Sequence, residues 1–133
     1  PPHSLADNDV PEQILMEPYK IKSSVTDELV DVLLTPLLTS GASTVVFDQL
    51  SYSAGPLPEQ LLADPRLGAP VWVVWGEEDP WTPPKRVLAL EKFSAVKRLV
   101  TVPGVGHCPH DEAPHLINPI IVQFMESLQN NSA

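Results

Sequence analysis

The stretch Pro70–His115, PVWVVWGEEDPWTPPKRVLALEKFSAVKRLVTVPGVGHCPHDEAPH, decides how the chain is read. Val71, Trp72, Val73, Val74 and Trp75 form a continuous β-branched and aromatic run. A short run of this kind predicts a strand buried on both faces, as in a parallel sheet. Gly76 stops it, and the acids Glu77, Glu78 and Asp79 follow at its carboxyl end. Thr82 is then expected to cap a helix that opens on Pro83, since proline lacks the N–H that would be unpaired there. Val87, Leu90 and Phe93 share one face of that helix. A second strand follows over Arg98–Val102, and Pro103-Gly104-Val105-Gly106 breaks it and presents His107. Strand, helix and strand in this order predict a crossover unit, which in a parallel sheet is right-handed. Both polar turns then lie outside the carboxyl ends of the strands, where open α/β sheets place their ligands. Asp79 and His107, 28 residues apart in sequence, are thereby expected to be neighbours in space.

GEEDPWTP after one apolar strand and VPGVGHCPHDEAP after the next resemble the last third of an α/β-hydrolase. More narrowly, they are similar to the plant and cyanobacterial branch that includes pheophytinases and chlorophyll dephytylases. The resemblance implies that Asp79 is the acid and His107 the histidine of a Ser-Asp-His triad. It also implies that VTDELVDVLLTPLLTSGASTVVFDQLSYSAGPLPEQLL is a helical cap or lid with the helix returning to the sheet. The expected fold is α/β: the last two parallel strands of the hydrolase sheet with flanking helices, preceded by a cap segment, the sheet being incomplete. The division would fall into a cap segment over residues 1–66 and a core portion over 67–133.

The nucleophile of such a triad sits in a G-x-S-x-G elbow between a strand and a helix. No G-x-S-x-G occurs in the 133 residues. Ser40-Gly41 and Ser53-Ala54-Gly55 are the nearest pieces, and neither follows an apolar strand. The expectation is therefore the C-terminal portion of a larger ester hydrolase, inert by itself. The resemblance implies a small apolar ester as substrate, with dephytylation in a chloroplast as the specific case. The same framework also serves epoxide hydrolysis and dehalogenation from an aspartate nucleophile, or the binding of small ligands without turnover.

The chemistry of the pair is that of acyl transfer. The imidazole takes a proton from a hydroxyl and returns it to the leaving group, while the carboxylate orients the ring. Gly104 and Gly106 let the loop turn and aim His107. Glu77 and Glu78 stand beside Asp79 as alternative acids, and all three can also be read as no more than a solvated turn. His107-Cys108-Pro109-His110-Asp111 also suggests a metal, but a zinc site needs four ligands and no second Cys/His cluster exists. No metal and no cofactor is implied. Cys108, adjacent to the histidine, is expected to point away from its target. Trp81, Phe47, Tyr52 and Leu57 are candidates to line the substrate site, weighed against a packing role for each; Trp72 and Trp75 read as core aromatics.

Upstream, Ser24-x-x-Asp27 and Thr26 signal a helix start, with Leu29, Val30, Leu33 and Leu34 at helical spacing. Thr35-Pro36 interrupts that helix, Gly41 ends it, and further helices carry Val45, Val46, Gln49 and Leu50, then Pro58–Leu62. Pro1 to about Ile21 is polar and weakly periodic, anchored only by Tyr19 and Ile14-Leu15-Met16; it is expected to pack as irregular structure or a short helix when the rest of the protein is present, and to fray otherwise. Asp111 and Glu112 place acid at the start of the last helix, which suits its dipole. Ile117, Ile121, Phe124 and Leu128 give that helix an apolar face, and Pro119 either restarts or kinks it.

Eight Lys and Arg against seventeen Asp and Glu give a formal charge of −9. No basic stripe is available to neutralise phosphates, which excludes a nucleic-acid partner. No apolar stretch reaches the ~18 residues of a membrane span. Sixteen prolines, about 12% against a usual ~5%, lie mainly at segment boundaries and in the first residues. A single cysteine excludes an internal disulfide.

Overall fold

A computed structural model describes residues 16–51 and 55–130. Ile14, Leu15, Tyr52 and the Ser53-Ala54 pair, singled out above, lie outside the described residues. The sheet has two parallel strands, β1 (Val71–Gly76) and β2 (Val96–Val102). Trp72 lies opposite Arg98, Val74 opposite Val100 and Gly76 opposite Val102, with an irregularity between Val71 and Trp72. The connection carries a helix, so the order strand, helix, strand is that of a crossover unit. The fold is thus α/β with an open two-stranded parallel sheet, as expected for an incomplete sheet.

The strand β1 is half-buried along Val71–Trp75, not buried on both faces. With one partner strand and little layered on it, the apolar run is covered only in part. Before the sheet, α1 (Asp27–Leu34) starts at Thr26, whose Oγ1 accepts from the Leu29 N–H at 3.2 Å. Pro36 has no N–H to continue the α ladder, and the chain tightens to a 3₁₀ turn over Thr35–Leu38. Then α2 (Ala42–Ser51) and α3 (Pro58–Leu62) complete a helical arm. The Gln60 side chain accepts from the Leu57 N–H at 2.7 Å and fixes the start of α3. The arm leaves large apolar side chains in solvent, Leu38 at 84% and Phe47 at 70%. No single described helix is long and apolar enough to cross a membrane; α1 with its 3₁₀ extension and α2 bend by 94° between them.

The helix between the strands departs from expectation. The Thr82 N–H donates to Asp79 and its carbonyl accepts from the Trp75 indole, so Thr82 belongs to the acid turn. Pro83 therefore takes the capping position and Pro84 opens α4 (Pro84–Leu88), which tightens into a 3₁₀ turn over Ala89–Lys92. Val87 is buried, while Leu90 and Phe93 are half-buried beyond the helix proper.

After the sheet, the short α5 (Pro109–Glu112) leads into α6 (Pro114–Asn130), which runs through Pro119 without a restart. Its inward stripe is Ile117, Ile120, Phe124 and Leu128; Ile121 is exposed. Phe124 meets the Trp72 ring at 5.4 Å, and the Arg98 guanidinium lies 4.8 Å from the same ring. The core cluster is Val102, Val105, Ala113 and Ile117, with Ile21, Val74 and Val100 packed on it. It sits at the carboxyl end of the sheet, directly beneath the two polar turns.

Candidate active site

The acid turn is tied to the histidine loop by backbone before any side chain is considered. The Glu77 N–H donates to the Val102 carbonyl and the Glu78 N–H to that of Val105, at 3.0 and 2.9 Å. Asp79 is 7% exposed. Its Oδ1 accepts from the Trp81 and Thr82 amides at 2.8 and 2.9 Å, which leaves Oδ2 aimed across the cleft. Oδ2 lies 2.8 Å from His107 Nδ1. Of the three adjacent acids, only Asp79 is buried and reaches the ring; Glu77 accepts from Thr101 Oγ1, and Glu78 pairs with Lys20.

Burial by itself would raise the pKa of Asp79. The Thr82 amide, His107 and the Trp81 amide outweigh it, and the net direction is downward. A carboxyl depressed in the folded state contributes stability that is present above its unfolded pKa and lost as pH falls through the folded one. Urea midpoints of the wild type and Asp79→Asn are therefore expected to converge as pH falls from 7 to 2. The wild-type advantage is flat above about pH 5 and shrinks below about pH 4. A constant gap across that range would contradict this origin.

His107 presents its Nδ1 edge to Asp79, and its Nε2 has no hydrogen-bond partner among the described residues. Trp81 lies 4.8 Å from the imidazole, centroid to centroid, and is 52% exposed; Trp75 meets it edge-on at 6.5 Å. Of the other lining candidates, Phe47 and Leu57 are exposed on the helical arm. Cys108 is pushed up in pKa by burial and by the charges of Asp111, Glu112 and Asp79, against an opposing hydrogen bond with Tyr19. That direction favours the thiol over the thiolate, which makes Cys108 a poor nucleophile and a poor metal ligand.

The model of the Alpha/beta hydrolase family matches residues 7–120, most of the chain. The chain belongs to the alpha/beta hydrolase family. Among curated relatives of the chain, "Pheophytinase, chloroplastic" of Arabidopsis thaliana is 28% identical over 60 residues. That match covers 45% of this chain and only 12% of the relative. No solved structure matches.

Two features of the site are not anticipated by the sequence reading. Glu112 reads as a partner for a helix dipole, but α5 is a four-residue helix with little dipole to complement, and the side chain turns inward. It is 5% exposed, and four backbone N–H groups converge on it: Lys20 and Ile21 at 2.8 Å each, Gly106 at 3.0 Å and Cys108 at 3.3 Å. The segment at residues 18–21, expected to fray unless the rest of the protein is present, is held in place within these residues. The Pro18 carbonyl accepts from the His107 N–H at 2.9 Å, and the buried Tyr19 donates to Asp111 at 2.7 Å. Burial and Asp111 drive the Tyr19 hydroxyl well above the usual phenol range, so it remains a donor. A signal existed in Pro109 and Pro114, which leave no room between them for a helix that an acid could serve.

Proposed function

We propose that Asp79 and His107 are the acid and the base of a serine-type carboxylic ester hydrolase, acting on a nucleophile that these 133 residues do not supply. The observation that carries this reading is the 2.8 Å contact between Asp79 Oδ2 and His107 Nδ1, with the other carboxylate oxygen pinned by two amides. The serine hydroxyl gives its proton to Nε2 as it attacks the ester carbonyl, and Nε2 returns that proton to the leaving alkoxide. Asp79 holds the ring in the tautomer with the proton on Nδ1 and stabilises the imidazolium formed in between.

What surrounds the pair supports an apolar substrate. Trp81 and Trp75 put aromatic surface beside the imidazole, which favours an apolar ester. Within the proposed cap segment 1–66, the helical arm at residues 27–62 covers the core portion 67–133 and offers Phe47 and Leu57 as substrate contacts, whereas residues 18–21 belong with the core. The pheophytinase relative supports a phytyl-type ester and a chloroplast setting.

Release of p-nitrophenol from a short ester tests the reading. The chain and its His107→Ala variant are expected to behave alike, with no turnover above buffer. Adding a polypeptide that carries the family's serine elbow is expected to produce turnover by the wild type only. Dye release by the chain alone that vanishes in His107→Ala would place the nucleophile inside it and overturn the division of labour. Ligand binding by the complemented protein with no His107-dependent turnover would favour a binding protein instead.

A further inference from the structure

Glu112 and Asp79 are the two buried acids among the described residues, and nothing in the proton-transfer scheme uses Glu112. Its surroundings explain its position. Gly106 and Cys108, the residues on either side of His107, both donate their backbone N–H to its carboxylate. Lys20 and Ile21 donate to Oε2, which fastens the segment whose Pro18 carbonyl receives the His107 N–H. One carboxylate therefore fixes both sequence neighbours of His107 directly, and its backbone amide through the strap. The approach is close enough that a Cβ on Gly106 would lie 2.7 Å from the Lys20 nitrogen and the Pro18 oxygen and 2.8 Å from Glu112 Oε1. Among the described residues no buried side-chain nitrogen or oxygen lacks a partner, so the network is closed.

We propose that Glu112 is a positioning residue for the acid–base pair: its carboxylate gathers the His107 loop and the 18–21 strap into one unit and so sets His107 Nδ1 on Asp79. A glutamine of the same shape offers one oxygen to four donors and turns an NH₂ group against the rest, leaving buried N–H groups unpaired. Aspartate keeps both oxygens but withdraws them by one methylene. The loop then relaxes, and a misplacement of about 1 Å at a catalytic group costs roughly 10²-fold in rate.

The test reads the pair directly. The Nδ1 proton of His107, held between nitrogen and Asp79 Oδ2, gives a far-downfield proton resonance that Asp79→Asn removes and so assigns. In the 133-residue chain this resonance is expected to be lost in Glu112→Gln, partly retained in Glu112→Asp and intact in Ile117→Val. The last variant trims the same core and touches no hydrogen bond. In the serine-complemented protein, Glu112→Gln is expected to lower kcat roughly 10²-fold with KM within about twofold. A folded Glu112→Gln that keeps the resonance and kcat overturns the proposal. So does failure of both the Gln and the Asp variants to fold, since Glu112 would then hold the whole fold and not the pair. The kinetic arm rests on the ester-hydrolase reading, whereas the resonance does not; its loss without any turnover would retain the positioning role and reject the hydrolase.

Discussion

Gly76→Ala is expected to part the acid turn from the histidine loop and to destabilise the chain by about 3 kcal/mol or more. Gly76 ends β1 under the loop, and a Cβ built there would lie 2.0 Å from the Gly106 oxygen and 2.4 Å from the Val105 oxygen. Both are backbone atoms, so no rotamer change relieves the overlap. Overpacking of ordinary cores costs about 1–3 kcal/mol when side chains can adjust. Here the strand end must move, and the Glu78 N–H to Val105 hydrogen bond lies in the path of that movement. Each buried N–H left unpaired adds about 1–3 kcal/mol. Urea unfolding of the two proteins side by side measures the difference. A midpoint shift worth less than about 0.5 kcal/mol, the usual effect of a bland surface change, would mean that the loop is not seated on Gly76. By contrast, Gly104 has open space around its Cβ position and serves the loop through its φ of +74°.

This dependence on backbone contact explains which parts of the site are legible in the sequence. The apolar run at Val71–Trp75 and the glycine-flanked His107 are local signals. A parallel sheet brings both carboxyl ends to one edge, so the meeting of Asp79 with His107 follows from topology alone. The identity of the acid among Glu77, Glu78 and Asp79 does not follow, because it depends on the Trp81 and Thr82 amides turning back onto one carboxylate. The same turn removes Thr82 from the helix cap that a local reading gives it. Glu112 and the 18–21 strap are illegible for a further reason. Their hydrogen bonds join residues 91 and 92 positions apart, and no period or composition records such a pairing. The arm from Thr26 to Leu62 is the opposite case. Its caps and breaks are local and therefore legible, but its helical faces find little to cover, and Phe47 and Leu38 stand in solvent.

The largest functional effects are expected at the pair itself. In the serine-complemented protein, His107→Ala is expected to lower kcat by about 10⁶-fold and Asp79→Asn by about 10⁴-fold. The two figures differ because the residues do different things. Without His107 the hydroxyl has no base, and the leaving group has no acid. In the Asp79→Asn variant the imidazole is still present, and the Trp81 and Thr82 amides can still bond to the side-chain oxygen. The NH₂ group then faces Nδ1 and favours the tautomer with the proton on Nε2, which cannot accept from serine. The loss at Asp79 should therefore consist of a wrong proton position in an otherwise intact site, visible as an unchanged KM with a depressed kcat. Steady-state kinetics on an apolar p-nitrophenyl ester, with both variants measured beside the wild type, separates these effects. A Glu78→Gln variant with a loss as large as that of Asp79→Asn would transfer the role of the acid to its neighbour. Glu78 is exposed and paired to Lys20, so a change of less than about threefold is expected there, within the range of an exposed ion pair.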